Sequence, residues 1–181
     1  VLFLRGERNT QIIGPKGSTW TLKAEGLVEC SGNIMTLLDY EHPESVEMTE
    51  YAFASMFGGS NGWTALVSAP SLPAMKLATA CYYGMFSGCT NLREAPSLPA
   101  TALEEKCYEN MFYNCKSLEI APELPATILA NSCYECMFMN CTSLKQKAKT
   151  ADLYWYYDDN DEDKESYPNR WNTDMYTGCT F

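Results

Sequence analysis

The sequence predicts an α/β solenoid, a stack of similar coils in which a helical half alternates with an extended half. Three observations carry this. The first is a period of 26: Cys81, Cys107 and Cys133, then Met85, Met111 and Met137, Phe86, Phe112 and Phe138, Cys89, Cys115 and Cys141, and Leu92, Leu118 and Leu144. Aligning 81–106 on 107–132 gives 13 identities in 26 positions. A unit this short cannot bury its apolar face alone and must stack on its neighbours. The second is the step of four in Leu103, Cys107, Met111 and Cys115, widened by Phe112, which predicts a helix over about 104–114. The third is the proline-bearing run Leu118-Glu-Ile-Ala-Pro-Glu-Leu124-Pro-Ala. It is too short and too proline-rich for a central antiparallel strand, and suits a brief extended segment paired in parallel with the coils on either side. Thr101 and Thr127 stand where a cap for the following helix belongs.

Residues 1–50 do not show the repeat and predict a β-rich N-terminal cap, which the first coil needs to cover its core. Leu2 to Gly6 reads as a strand and Gly14-Pro-Lys-Gly17 as a turn; Ser18 to Ala24 alternates like a strand. An apolar run, Ile34 to Leu38, then precedes a polar loop from Asp39 to Glu47. The coils occupy 51–144. Ala52, Phe53, Met56 and Phe57 match Cys81, Tyr82, Met85 and Phe86, and Gly58 to Trp63 holds a three-residue insertion before the phase returns at Leu66. Residues 145–181 form the last coil and an irregular C-terminal cap. Lys145-Gln-Lys-Ala-Lys149 replaces the Ala-Pro segment. Twelve extra residues, including Leu153 to Tyr157 and the acidic run Asp158 to Glu165, precede Trp171, Met175, Tyr176 and Cys179, which fall in the columns of Cys81, Met85, Phe86 and Cys89.

Composition narrows the function classes. A formal net charge of −10 repels phosphate backbones and argues against nucleic acid. No run of about 18 apolar residues is present, so no transmembrane segment is expected. The chain begins at Val1 rather than Met and reads as a trimmed fragment. Nine cysteines, six of them in two repeat columns, read as ladders of buried thiols packing as small hydrophobes. Disulfides for some, or a metal at Cys133-Tyr-Glu-Cys136, are the alternatives.

Little in the sequence points to catalysis. The only histidine, His42, lies in a loop, and no nucleophile-elbow, zincin or phosphate-loop pattern occurs. No cofactor is expected. The alternating Asp159, Asp161 and Asp163 could take calcium, but Lys164 stands where a calcium loop has its glycine, and a solvated loop is the simpler reading. Tyr82, Tyr108 and Tyr134 form a column that serves either as packing or as a sugar platform. Recognition is expected instead at positions that vary between matched units: Arg93, Glu119 and Lys145 in one column, Glu94 in the next, and Ser97 and Glu123 in a third, all on the inner face of the arc.

The string Met85-Phe-Ser-Gly-Cys-Thr-Asn-Leu92 and its two copies resemble the BspA-like leucine-rich repeats of bacterial surface proteins, whose familiar form is Ala-Phe-x-x-Cys-x-x-Leu. The longer unit, with Leu-Pro-Ala-Thr and Cys-Tyr-x-x-Met-Phe, is similar to the variant common in Bacteroides and related gut bacteria. The resemblance extends to the leader strings Leu4-Arg-Gly6 and Val28 to Asp39, and to a closing segment from Trp171 to Phe181. It implies a short right-handed leucine-rich-repeat array in an exported protein, at the cell surface or secreted. Such a protein would act as a non-catalytic binding or adhesion module for a protein or glycan. A structural spacer within a larger surface protein is the alternative.

Overall fold

The computed structural model describes residues 4, 6–7, 26–58, 64–151 and 174–180. The turn expected at Gly14 to Gly17, the strand expected over Ser18 to Ala24, the aromatic cluster Leu153 to Tyr157, the acidic run Asp158 to Glu165 and Trp171 lie outside the described residues, as does most of the insertion before Leu66.

The chain runs in parallel layers one repeat apart. Each layer has a turn half and an extended half. In the turn half, backbone hydrogen bonds alternate in direction. The amides of Tyr82, Gly84, Phe86 and Gly88 donate to the carbonyls of Cys107, Glu109, Met111 and Tyr113 in the next layer, at 2.7–3.1 Å. The amides between them, of Cys81, Tyr83, Met85, Ser87 and Cys89, donate to the carbonyl three residues back, at 3.0–3.2 Å. The same pattern ties 106–114 to 131–139. Every amide in the run is thus satisfied, half within the layer and half across it, so no buried donor is orphaned.

This overturns the helix expected over 104–114, and with it the helix-cap role of Thr101 and Thr127. The segment is a chain of overlapping turns, and no α-helix occurs among the described residues. The physical reason is the backbone at every fourth residue. Ala80, Gly84 and Gly88, then Lys106, Asn110 and Asn114, then Ser132, Cys136 and Asn140 all have φ between +52° and +78°. A right-handed helix has no such residue, and each non-glycine costs about 1–2 kcal/mol there unless its surroundings hold it. Glycine and asparagine, the residues most tolerant of this conformation, occupy Gly88, Asn114, Asn140 and Gly178 of one column. The side chains then bury in pairs, Cys107–Tyr108 and Met111–Phe112, each pair followed by two more exposed positions.

The core is one continuous cluster from Ile34 to Met175, built of columns. Phe57, Phe86, Phe112, Phe138 and Tyr176 stack with ring centroids 5.5–5.6 Å apart and planes within 11°. Phe53, Tyr82, Tyr108 and Tyr134 form a second stack at 5.8–6.0 Å. Each stacked pair adds about 0.5–1.5 kcal/mol beyond the burial of its rings. The three tyrosines are 1% exposed, so they are packing and present no sugar platform.

The extended halves pair in parallel through isolated bridges, Glu94 with Ile120, Ala102 with Ile128 and Leu124 with Thr150. The segment Lys145 to Ala151 keeps this register despite its changed sequence. Leu124 donates to the Lys149 carbonyl at 2.8 Å, and Ala148 is buried where earlier layers have proline. At the N-terminal end β1 (Val28–Glu29) pairs in parallel with β2 (Leu66–Ser68), and Asn33 bridges Ser71. Ile34–Leu37 is a 3-10 helix capped by the Asn33 side chain, which accepts from the Met35 amide at 2.9 Å. Val28 and Ile34 therefore stand over Leu66 and Leu72. The region that shows no repeat in its sequence still supplies an extended segment in phase with the first layer.

Candidate binding surface

The six residues singled out for recognition all lie on the extended halves, beside the buried Leu92, Leu98, Leu118, Leu124 and Leu144 that anchor those segments. Arg93, Glu94, Ser97, Glu123 and Lys145 are exposed and Glu119 is half-exposed. The parallel register fixes their spacing. The Glu119 amide donates to the Arg93 carbonyl at 2.9 Å, and the Lys145 amide to the Glu119 carbonyl at 3.2 Å. Arg93, Glu119 and Lys145 are thereby stacked as a cation, an anion and a cation.

Side chains on this face pair across layers in two places. The Lys145 Nζ donates to Glu119 Oε2 at 2.5 Å, and Lys149 Nζ to Glu123 Oε1 at 3.1 Å. The Lys145 ammonium, with Arg93 as a weaker contributor, holds the Glu119 carboxyl below the usual glutamate range. Ser97 stands one layer before Glu123 in the same column, and Glu94 is brought beside Ile120, which is 53% exposed. Lys149 belongs to this surface and was missed as a candidate. It follows Glu123 by one repeat, and that spacing was the available signal.

The thiols lie elsewhere, inside the turn halves. Cys89, Cys115, Cys141 and Cys179 each donate their thiol to the carbonyl of a phenylalanine in the preceding layer, Phe57, Phe86, Phe112 and Phe138, at 3.1–3.2 Å. None of the nine cysteines forms a disulfide. Burial pushes the thiols of Cys81 and Cys141 up to about 12, and those of Cys133 and Cys136 to about 11. A thiol so raised supplies little thiolate, the form that attacks or binds metal. Cys133 is fully buried and Cys136 half-buried, and no group of three or more His, Cys, Asp or Glu among the described residues could hold a metal ion. His42 sits in an exposed turn, its Nδ1 4.0 Å from Asp39. No helix among the described residues is long and apolar enough to cross a membrane.

No protein-family model, no curated protein and no solved structure matches this chain.

Proposed function

We propose that the chain is a short right-handed solenoid of the BspA-like leucine-rich-repeat type, working as a non-catalytic binding or adhesion module outside the cell or on its surface. Its partner is a protein or glycan met through the face that carries Arg93, Glu94, Ser97, Glu119, Glu123 and Lys145. The observation that supports this reading most is the division of labour within each layer. The repeated apolar side chains of the turn half fill the core, whereas the extended half presents charged side chains that differ from layer to layer at fixed spacing. Mixed charge on such a face suits a protein or an uncharged or mixed glycan better than a polyphosphate.

A second reading, a structural spacer, is favoured by the ion pairs Glu119–Lys145 and Glu123–Lys149, which use these charges to join layers. The two separate by charge reversal. The purified chain is screened against extracellular-matrix proteins and polysaccharides, with and without calcium, and then as the double variant Arg93→Glu, Glu119→Arg. Binding lost in the double variant supports recognition through this face. Binding that needs calcium and survives the reversal moves the site to Asp158–Glu165. Absence of binding across the panel favours the spacer.

A further inference from the structure

Three departures from the column residues meet at one point near the C-terminus. Position 148 is alanine where the earlier layers have Pro70, Pro96 and Pro122. Position 147 is lysine where they have Ala69, Ala95 and Ala121. Position 176 is tyrosine where they have Phe57, Phe86, Phe112 and Phe138. The Ala148 amide, a donor that proline lacks, donates to the Tyr176 hydroxyl at 2.9 Å, an acceptor that phenylalanine lacks. The Lys147 ammonium lies 5.6 Å from the centre of the Tyr176 ring. That ring continues the phenylalanine stack, 5.5 Å from Phe138. On either side, Lys145 and Lys149 reach back to Glu119 and Glu123.

We infer that Tyr176 is a latch that fastens the C-terminal segment 174–180 to the strap 145–151, so that the two open and close as one local unit. The strap has given up two prolines, since Ala151 also replaces the proline of Pro73, Pro99 and Pro125. Proline at a compatible position stabilises by restricting the unfolded chain, so their loss makes this stretch easier to open. The polar contacts at Tyr176 offset that loss with bonds that can be undone singly. Opening the strap frees the Glu119 and Glu123 carboxylates from Lys145 and Lys149. The consequence for recognition rests on the reading above, whereas the latch does not.

Residue-resolved amide hydrogen exchange on the full chain tests it without any ligand. Tyr176→Phe restores the residue of the other layers and should leave the stack intact. The expected result is exchange at Ala148, Lys145 and Ala151 faster by roughly two- to tenfold, the range for one lost hydrogen bond, with Phe86 and Phe112 unchanged. Lys147→Gln should accelerate the same three amides less, and should still do so in the Tyr176→Phe background, which keeps the ring under the ammonium. Unchanged exchange at Ala148 or uniform acceleration along the chain would each overturn the latch.

Discussion

The two halves of each layer solve the same stacking problem by different means. Over 80–89 and 106–115 the turn half bonds every amide, and the side chains it buries repeat almost without change. The extended half makes a few bridges, repeats its Leu, Ala and Pro positions, and varies at the exposed positions between them. Where Met111 and Phe112 sit, an identical neighbour one layer away is the best packing partner, because like rings and thioethers stack in register. Where Glu119 sits, an identical neighbour would be repelled, and the next layer carries Lys145 instead. Sameness at the buried positions and alternation at the exposed pair Glu119–Lys145 follow from the same parallel register.

This contrast can be broken most sharply in the turn half. Phe112→Ala removes the centre of a five-ring stack and should cost about 3–5 kcal/mol in chemical denaturation. Ile120→Ala, in the extended half of the same layer, should change stability by less than about 0.5 kcal/mol. Comparable losses at the two positions would remove the distinction. Gly58→Ala comes next. A Cβ there would lie 2.1 Å from the Gly84 carbonyl oxygen of the following layer, and that atom is backbone and cannot swing away. The expected cost is about 1–3 kcal/mol, read as a lowered denaturation midpoint.

Alkaline pH should act on the turn half through its buried thiols. The folded thiols of Cys81 and Cys141 keep their protons to about pH 12, against an ordinary value of 9.0. Between those values the unfolded chain holds fewer protons than the folded one, so stability falls as pH rises. The thiol contribution should be intact below pH 9 and decline from there towards pH 12. Thermal unfolding at pH 8 and pH 10.5 checks this, and a midpoint no lower at pH 10.5 would count against thiols buried in protonated form. The smallest effect is expected on the extended face, where Lys149→Ala breaks an exposed pair. It should alter the denaturation midpoint by no more than about 1 kcal/mol equivalent, and less at high salt.

Much of the layered arrangement was legible in the columns. Identical residues at a fixed interval need identical surroundings, and the rings at 86, 112 and 138 do stack. The conformation between them was not legible from the apolar pattern, because a step of four suits both a helix face and a chain of turns. The distinguishing signal lay in the less apolar positions. Gly84 over Asn110, and Gly88 over Asn114 and Asn140, mark a left-handed backbone that a helix excludes. Burial in adjacent pairs, rather than at three- and four-residue steps, was a second sign. The register of the N-terminal segment on the first layer was not legible for another reason. Val28 and Ile34 precede their partners Leu66 and Leu72 by 38 residues rather than 26, so they match in structure but not in period. On the candidate surface the columns located the residues, but their pairing depends on side-chain reach between layers.

The most direct measurement is of scalar coupling across hydrogen bonds in the turn half, by NMR on labelled protein. The amide nitrogen of Phe86 should couple to the carbonyl carbon of Met111, and that of Phe112 to the carbonyl carbon of Met137. Coupling of Phe86 to Tyr82 and of Phe112 to Tyr108, four residues back, would show a helix and contradict the layered turns.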